Sequence, residues 1–538
     1  MFGCLYIYIF VLVEEGSEAL MRIGFVNMFS FRPHVEHLYF LAKLLAKDGH
    51  ETFYLTCDGV VSNCYARAIK GKRKLEECPK CILGGVRSFP VGNITSVKST
   101  TASLGVKILD SLALSSSCTL NRTESETEWN EPQVVAVRES LHEPINVVYQ
   151  SAIRWIEQNN IEAVVCFNGR MDLPRAVTYA CEQKKIPYIT HERTWFGDGL
   201  QLIPNANCLS LNALGDMVKD FDEKPLTAEQ AKFAGRLAGE RFLQTNSLEW
   251  RLYNKNPEPA PWPLASEGPR VLIIPSSKNE FAGHDEWRTD WEDNTKALDD
   301  LFEAFAIRPE QVVVRCHPNW AENIGKVVGD RSLNLYREWA RKSNIYCISS
   351  EQKASTYDLI QQADIVVLNG GSSAVEAGVC GKQVICMGPS TYQEAGFLRV
   401  FHNKQALYAS GAQDALDPDT VIRKTLRYLY LRSHRFPQYV DYVKAVETTR
   451  YEYFDGADPE RIISMLKTGK MMADDASFAA DSSAEDAIIS ALKNKEWMSL
   501  AGYEVQRARY LEPLLIRRRF GLRWVDNVRA KMPRGDRG

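Results

Sequence analysis

The sequence predicts an α/β protein with two parallel-sheet domains that face each other across a cleft, followed by a C-terminal helical tail. Short apolar runs alternate with amphipathic helical segments in both halves of the chain, a pattern typical of parallel sheets covered on both faces. A length of 538 residues exceeds what one hydrophobic core supports. Residues 256–269 are rich in proline and small residues, which discourages packed structure and marks the boundary between the halves.

The N-terminal domain is predicted to cover residues 21–258. It opens with a strand, a helix and a second strand, and the same order recurs later in this half; these elements are predicted at 23–28, 34–47, 52–56, 163–167, 175–183 and 188–190. Residues 97–133 are rich in Ser and Thr and weakly periodic, which predicts an insertion or a mobile loop. Residues 1–20 are expected to be an extension, since their apolar part is shorter than the ~20 residues of a membrane span; a short membrane-touching anchor is the alternative.

The C-terminal domain is predicted to cover residues 268–470. Its alternating strands and helices are predicted at 271–275, 294–305, 311–315, 333–342, 345–348, 355–362, 365–368 and 383–387. Both domains are therefore expected to be Rossmann-like. Open α/β sheets of this kind bind ligands outside the carboxyl ends of their strands.

The bulk composition narrows the function classes. A net charge of −3 gives no general attraction to nucleic acid, and no nucleic-acid partner is expected. Thirteen scattered cysteines suit a reducing compartment better than a disulfide framework, so a cytoplasmic location is expected. Residues 471–538 are predicted to form an acidic linker and a basic tail. That tail either lies on an anionic membrane surface or packs as a helix on the body.

A glycine- and serine-rich turn follows the apolar run 365–368. Gly371, Ser372 and Ser373 could present hydroxyl and backbone N–H groups to a phosphate, with Glu376 one turn further along the helix. The alternative is an ordinary capped helix, with Ser373 as N-cap and Glu376 as its capping-box partner. The two interpretations are compatible.

Other polar residues follow two further predicted strands. Arg315, His317 and Asn319 end one strand, and Ser276 and Ser277 end the first strand of the second domain. Together with the turn at 371–373, these strand ends predict a nucleotide mono- or diphosphate cleft.

Several of these motifs resemble the capsule polysaccharide biosynthesis family, which includes Kdo transferases of capsule export systems. The matching elements are Arg315-Cys316-His317-Pro318, Ser372-Ser373, Glu376, Gly381-Lys382-Gln383-Val384, and Gly388 to Tyr392. The resemblance covers about residues 271–394 and extends to the N-terminal half only in architecture. It implies a GT-B glycosyltransferase whose C-terminal domain holds the donor nucleotide, with the donor phosphate contacted by His317, Ser372, Ser373 and Lys382. The acidic Asp/Glu-Asp/Glu-Gly element of sialyltransferase-like groups has no convincing match.

The acceptor side is read from strand ends of the first domain. GT-B enzymes often take their base from the loop after strand one, which implies His34 or Glu36 here. Because His34 begins a helix, its cationic form is disfavoured and it could act as a neutral base. Glu192 and Glu280 are further candidate catalytic acids or bases. Arg170 and Arg193 are predicted to face the same cleft from the acceptor side.

Four cysteines are spaced C-x6-C-x13-C-x2-C. Zinc takes four ligands, with thiolates at about 2.3 Å, and a C-x2-C knuckle supplies two of them. Cys57, Cys64, Cys78 and Cys81 therefore predict a structural zinc site, with free cysteines as the alternative. No Asp-x-Asp metal motif is obvious in the sequence, so no cofactor is expected to be required for catalysis.

The favoured function is transfer of a sugar from a CMP-, UDP- or GDP-linked donor to a growing surface polysaccharide or glycolipid. Two alternatives stay open. One is another enzyme of similar fold, a nucleotide-sugar 2-epimerase or a polyol-phosphate transferase. The other is a non-catalytic subunit of a polysaccharide assembly complex. The expected location is the cytoplasm, peripheral to the inner face of the plasma membrane.

Overall fold

A computed structural model describes residues 20–99, 101–249, 257–265, 267–321, 329–411, 414–504 and 510–531. Apart from Leu20, the predicted N-terminal extension lies outside these residues. Two six-stranded sheets and one two-stranded sheet are described. The predicted fold class is confirmed, because two Rossmann-like sheets face each other and a helical tail follows them.

The first large sheet has the strand order β3-β2-β1-β4-β5-β6. Neighbouring strands are parallel except β5 and β6, which are antiparallel. Its strands are β1 Arg22–Asn27, β2 Glu51–Thr56, β3 Ile94–Ser96, β4 Ala163–Phe167, β5 Tyr188–Arg193 and β6 Leu200–Pro204.

The second large sheet has the order β12-β11-β10-β7-β8-β9 and is parallel throughout. Its strands are β7 Val271–Ile274, β8 Val312–Arg315, β9 Tyr346–Ile348, β10 Ile365–Leu368, β11 Gln383–Met387 and β12 Arg399–Phe401. A small antiparallel hairpin follows, made of β13 Val443–Glu447 and β14 Arg450–Tyr453.

Helices cover both faces of each large sheet. In the first half of the chain they are α1 His34–Lys47, α2 Tyr65–Lys70, α3 Lys74–Gly84, α4 Val106–Asn121, α5 Pro132–Ser140, α6 His142–Asn159, α7 Asp172–Lys184, α8 Leu211–Phe221 and α9 Ala228–Phe242. In the second half they are α10 Asn294–Phe305, α11 Asp330–Lys342, α12 Thr356–Gln362, α13 Ser373–Val379, α14 Lys404–Ala409, α15 Pro418–Tyr430, α16 Glu460–Thr468, α17 Ser483–Lys493, α18 Trp497–Ala501 and α19 Trp524–Lys531.

Strands buried on both faces explain the continuous apolar runs in the sequence. In β4, Val164 and Cys166 pack into one hydrophobic core while Ala163 and Val165 pack into another. Successive side chains of a strand point to opposite faces, so a strand in the middle of a covered sheet needs apolar residues at every position. Each large sheet therefore lies between two cores.

Each half of the chain contributes a segment to the other half's core. Helices α8 and α9 pack against the second sheet, although the sequence placed residues 21–258 in the N-terminal domain. In return, Tyr439, Val443 and Ile462 pack into the core of the first sheet, although residues 268–470 were predicted as the C-terminal domain. Leu200 and Gln438 exchange backbone hydrogen bonds of 2.8 and 2.7 Å. These two exchanges differ from the predicted domain boundaries.

For residues 97–133 the mobile-loop alternative is wrong, while the alternative of an insertion stays a prediction. Most of this segment is helical, and α4 alone spans sixteen residues. Leu109, Leu112 and Ala113 are buried, as are the small side chains of Ser116 and Ser117. Small serines can pack closely in a core, and they weaken the apolar period on which sequence interpretation relies.

The acidic segment predicted as a linker packs on the body instead. Asp474 accepts hydrogen bonds from the backbone N–H groups of Tyr439 and Val440, each at 3.0 Å. The following helices α17 and α18 pack along α9. The carboxylate of Asp474 therefore binds backbone N–H groups of the body rather than keeping the segment in solvent.

A buried ion cluster joins α9 to α13. Arg241 is 3% exposed and its guanidinium lies 2.5 Å from a Glu249 oxygen and 2.6 Å from a Glu376 oxygen. The sequence predicted that Glu376 caps its helix or contacts the donor. Both predictions are corrected, because its carboxylate pairs with Arg241 instead. Burial raises the pKa of Glu376, and the positive charge of Arg241 opposes that rise.

Replacing Arg241 by Ala is expected to destabilise the protein by roughly 3–5 kcal/mol, because two buried carboxylates lose the cation that both of them contact. The free energy of unfolding in urea measures the effect. Arg236→Ala is the matched control, since its ion pair with Glu240 lies on the same helix but is partly exposed and is expected to contribute about 1 kcal/mol or less. Equal losses in the two variants would contradict the role given to Arg241.

Candidate active site between the two sheets

The loop after β7 of the second sheet contacts the segment that leads from β6 of the first sheet into α8. The carboxylate of Glu286, from the loop after β7, accepts backbone N–H groups at the start of α8, including that of Asn212 at 3.1 Å. Trp287 donates its indole N–H to the carbonyl of Leu209 at 2.9 Å. These contacts hold the carboxyl edge of one sheet against that of the other.

A pocket of about 300 Å³ lies at this junction. Its walls come from the loops after β7, β10 and β11 and from the segment that follows α4. Within it, the rings of Phe281 and Trp287 stack with centroids 3.7 Å apart and planes 2° from parallel. Polar side chains that line it include Glu124, Lys278, His284 and Asn369. A pocket that combines several aromatic rings with polar groups, at the carboxyl ends of strands, is a usual form of a ligand site in α/β proteins.

Asn369 fixes the base of the pocket. Its side-chain amide accepts the Ser276 backbone N–H at 2.7 Å and donates to the Ser276 carbonyl at 2.8 Å. This joins the ends of the adjacent strands β7 and β10. A side chain at Gly371 would come within 2.6 Å of the Ser276 hydroxyl oxygen, which explains why glycine stands there. Ser276 and Gly371 are thus placed together as predicted, at the edge of the cleft.

The Ser372 side chain is exposed at the same turn. Ser372, not Ser373, is the N-cap of α13, and its side chain makes no capping hydrogen bond. Hydrogen bonds from the hydroxyls of Ser372 and Ser373 to other described residues are also absent. Both hydroxyls are therefore available, and their contact with a phosphate stays a prediction.

Glu124 is a site residue that the sequence did not reveal. It is 2% exposed and lies beyond α4, yet its carboxylate accepts the backbone N–H of Lys278 at 3.1 Å and the hydroxyl of Ser332. Burial raises the pKa of Glu124 to about 7, and the hydrogen bonds from Ser332 and Lys278 oppose that rise. The segment after α4 thereby closes one side of the pocket.

Lys278 places a partly buried cation in the same pocket. Its ammonium group lies 3.3 Å from the hydroxyl of Thr289. Burial lowers the pKa of Lys278, while the negative charge of Glu124 raises it. Lys278 follows β7 closely in the sequence, so its position after a strand was the signal that could have identified it.

His317 and Asn319 lie in the loop after β8. The backbone N–H of Asn319 donates to Nδ1 of His317 at 3.2 Å. Trp320, from the same loop, donates its indole N–H to the hydroxyl of Ser277 at 2.8 Å. Ser277 therefore supports this loop, while donor contacts of His317 and Asn319 stay predictions.

Two residues predicted to bind the donor do not face the cleft. Arg315 is 1% exposed, and its guanidinium donates to the carbonyls of Ser349 and Gln352 at 2.7 and 2.9 Å, so it holds the loop after β9. Lys382 precedes β11 and donates to the carbonyl of Gln361 at 3.0 Å. Strand direction puts Lys382 at the amino edge of the sheet, opposite the cleft. Both predictions are corrected.

On the other side of the junction, the buried His34 pairs with the half-buried Glu192. Nε2 of His34 lies 3.2 Å from a carboxylate oxygen of Glu192. Burial lowers the pKa of His34, with a further lowering from the charge of Arg193, and burial raises the pKa of Glu192. Asn168 donates to Glu192 at 3.0 Å. The neutral imidazole predicted from the sequence is consistent with these surroundings.

Further histidines surround this pair. The ring centroids of His37 and His191 lie 6.1 and 6.0 Å from that of His34. Burial lowers the pKa of His191 to about 3, assisted by the charge of His34. Neither ring nitrogen of His191, nor Nδ1 of His34, has a hydrogen-bond partner among the described residues. Buried polar atoms seldom lack a hydrogen-bond partner. The ones that do so here lie in and beside the candidate base His34.

Of the remaining residues predicted for the acceptor side or for catalysis, some lie at the junction and others do not. Arg170 is buried and donates to the hydroxyls of Ser115 and Thr119, both at 3.0 Å. Burial lowers the pKa of Arg170, while Glu280 and other negative groups raise it by more. Arg170 and the exposed Glu280 are thus brought together between the domains.

Arg193 and Glu36 lie further from the junction. Nε of Arg193 lies 3.4 Å from the Tyr451 hydroxyl. Glu36 accepts from Nε of Arg32 at 2.8 Å and lies 3.7 Å from Arg518 of the tail. Because its carboxylate faces the tail, Glu36 does not fit the catalytic role predicted for it.

The four clustered cysteines line a cavity of about 40 Å³. Cys78 and Cys81 belong to α3 rather than to a zinc knuckle, and burial raises the pKa of Cys57 and Cys81. No three His, Cys, Asp or Glu side chains in the described part of the chain are arranged to hold a metal ion. The thiols are free here, and the zinc site stays a prediction.

A scan against protein-family models and a search of curated proteins both find no match. Solved structures with similarity include two transferases of Thermosulfurimonas dismutans KpsC, each 13% identical. For the β-Kdo 2,4-transferase the match covers 61% of this chain and 87% of that one, with a TM-score of 0.31. For the β-Kdo 2,7-transferase the match covers 64% of this chain and 90% of that one, with a TM-score of 0.33.

A UDP-GlcNAc 2-epimerase of Methanocaldococcus jannaschii, in complex with UDP-GlcNAc and UDP, is 11% identical. The match covers 83% of this chain and 99% of that one, with a TM-score of 0.27. Kdo transferases, which the sequence resemblance named, are therefore among these structures. With such low identities and TM-scores, the activity has to be argued from the residues of this chain.

The raised pKa of Glu124 predicts a pH-dependent stability. In the unfolded chain its carboxyl ionises near pH 4.5, whereas in the folded protein it holds its proton until about pH 7. The folded state therefore binds more protons in this window, and the contribution of Glu124 to stability falls as the pH rises through it. Glu124→Gln removes this penalty.

Thermal melts at about pH 4.5 and about pH 7.5 test this expectation. The first is near the pKa of Glu124 in the unfolded chain, and the second lies above its pKa in the folded protein. The Tm of Glu124→Gln minus that of the wild type should become more positive at the higher pH. Glu126→Gln, at a neighbouring exposed position, is the control and should give a constant difference. A constant difference for Glu124→Gln as well would contradict the position given to its carboxyl group.

Proposed function

We propose that the protein is a glycosyltransferase that takes a sugar from a nucleotide-linked donor and passes it to a hydroxyl group of a saccharide or lipid-linked acceptor. One observation carries the proposal. A pocket with stacked aromatic rings and a partly buried lysine, at the carboxyl edge of one sheet, lies against the edge of the other sheet that holds the His34–Glu192 pair. Two facing sites are what transfer between two bound substrates needs.

The donor is assigned to the pocket on chemical grounds. Aromatic rings suit the flat face of a nucleobase, and Lys278 suits the negative charge that develops on a departing phosphate. A volume of about 300 Å³ is at the lower end of the range for small-molecule sites. The proposed donor class is a CMP-, UDP- or GDP-linked sugar.

The base is assigned to His34. A neutral imidazole can accept a proton from an acceptor hydroxyl, and the burial that lowers the pKa of His34 keeps it neutral at physiological pH. Glu192, 3.2 Å away, would orient the ring and stabilise the imidazolium that forms. Contacts through Asn168, Cys208 and Asn207 lead from Glu192 to His284 in the donor pocket.

A panel of CMP-, UDP- and GDP-sugars tests the proposed reaction. Binding measured by calorimetry, followed by hydrolysis or transfer of the sugar to an added acceptor, is the expected result for at least one of them. Conversion of the free donor to its 2-epimer would instead establish the epimerase alternative. A protein that binds none of the donors would refute the proposal.

Separate variants should distinguish the two sides of the cleft. His34→Ala is expected to lower kcat by about 10²–10⁴-fold while donor affinity stays the same, because the imidazole lies outside the donor pocket. Lys278→Gln should instead weaken donor binding at least tenfold. Lys296→Gln, at an exposed site on α10, is the control for the lost charge. Loss of donor binding in His34→Ala would contradict this division of roles.

The motif residues need their own test. If His317 and Ser372 contact the donor phosphate, the double change His317→Ala and Ser372→Ala should abolish donor binding measured by calorimetry. Ser410→Ala is a control at a surface serine that belongs to the same domain. A double variant with full donor affinity would remove both residues from the site and leave the pocket around Lys278 as the donor contact.

A further inference from the structure

Two stretches far apart in the sequence lie side by side on the N-terminal domain. One is 72–84, which includes α3, and the other is 510–528, which reaches into α19; together they are called the basic surface here. Arg518 joins them, because its buried guanidinium donates to the carbonyl of Leu83 at 2.9 Å and lies 2.7 Å from Asp526. The tail therefore packs on the body, as one of the two sequence interpretations expected.

A second arginine strengthens this attachment. Arg519 donates to the carbonyls of Phe89 and Val91 at 2.8 and 2.9 Å. The backbone of Leu514 also donates to the carbonyl of Tyr453 at 2.7 Å. With the inner side of the tail held at these points, its other side chains are left on the outside in a fixed arrangement.

The outer side carries an unusual share of exposed apolar side chains. Fourteen large hydrophobic side chains are exposed in the described part of the chain, and seven of them belong to the basic surface. Phe520 is 85% exposed, Trp524 55% and Leu75 89%. Scattered single hydrophobic residues need no explanation, whereas a concentration of them indicates an interaction site.

Cations accompany these apolar groups. Exposed basic side chains of the basic surface are Lys72, Arg73, Lys74, Lys80, Arg517, Arg519 and Arg523. Its acidic residues are largely engaged nearby, as Glu76 is with Arg73, Glu77 with Lys70 and Asp526 with Arg518. The whole chain has a net charge of −3, so this concentration of positive charge is local.

A groove of about 370 Å³ runs from the edge of this surface. It lies between residues 513–517 of the tail and the hairpin β13–β14. Tyr453, in its wall, has its hydroxyl 3.0 Å from Nδ1 of His37, a neighbour of the candidate base His34. A molecule anchored at the basic surface would therefore lie beside the acceptor half of the cleft.

We propose that the basic surface docks the protein on an anionic phospholipid bilayer. Arginine and lysine side chains are attracted to negatively charged headgroups, while Trp and Phe side chains enter the boundary between headgroups and acyl chains. No helix in the described ranges is long and apolar enough to span a membrane, and the proposed contact is with the surface alone. The inference stands on the tail and α3, and it is independent of the reaction proposed above.

Sedimentation of the full-length protein with lipid vesicles tests the proposal. Vesicles that contain phosphatidylglycerol should bind the protein, and binding should weaken as salt is raised; vesicles of phosphatidylcholine alone should bind it much less. Arg517→Gln with Arg523→Gln should weaken binding about fivefold for each lost cation. Phe520→Ser with Trp524→Ser should weaken it at least tenfold.

Matched controls lie on the C-terminal half. Arg341→Gln with Lys342→Gln removes two cations of α11, and Phe478→Ser with Met498→Ser removes two exposed apolar side chains; both pairs should bind like the wild type. A tail variant that fails to fold, judged by its Tm, is replaced by Lys72→Gln with Lys80→Gln, which should weaken binding by a similar factor.

Four results would overturn the proposal. The first is equal binding to anionic and neutral vesicles, and the second is unchanged binding in all the variants of the basic surface. The third concerns the apolar residues at the start of the chain. If deletion of residues 1–20 abolishes binding while the variants of the basic surface retain it, the bilayer contact belongs to those residues instead. Absence of vesicle binding by the wild type would also overturn it and point to a protein partner for this surface.

Discussion

Parallel strands bring all their carboxyl ends to the same edge of a sheet, and the rest of this protein depends on that constraint. Each of the two large sheets is buried on both faces, so polar side chains concentrate at the strand ends, as Glu192 and Arg315 do, and in the loops that follow. The exchange of segments between the halves then holds the two carboxyl edges together. Residues such as Asn369 and His34, which come from distant parts of the sequence, are thereby brought to one junction.

The junction combines charge with burial. Glu124, Lys278 and His284 all have pKa values displaced toward their neutral forms, chiefly because they are buried. Burial lowers the pKa of His284 to about 4, and the charges of Arg170 and Arg175 contribute to that lowering. In a partly buried site, the electrostatic interaction between these side chains and a charge on the ligand is stronger than it would be at the surface.

Much of the fold could be predicted because its signals are local. The helix Asn294–Phe305 and the strands Ile365–Leu368 and Gln383–Met387 agree with the sequence prediction at both ends, since each has a clear period or apolar run between breaks. The helix α4 was missed because its buried face is partly serine. The exchanged segments were missed because adjacency in sequence does not reveal which sheet a helix packs against.

The candidate site was predictable only in part, because some of its residues are placed by partners that lie far away in the sequence. Residues that follow strands, such as Ser276 and His34, lie at the junction as expected. Glu376 was misassigned because its partner Arg241 lies 135 positions away, and Glu124 gave no signal in the sequence because it lies far from the strands it supports. Lys382 is different, since the direction of the strand that follows it already placed it at the wrong edge.

The return of residues 439–466 to the first sheet has a consequence for synthesis on the ribosome. Tyr439, Val443 and Ile462 complete one core of a sheet whose strands all lie before residue 205. Helix α1 covers part of that face, and the rest stays open to chaperones and to other nascent chains until more than two hundred further residues have emerged. A premature stop in the second half would leave that part of the apolar sheet face uncovered.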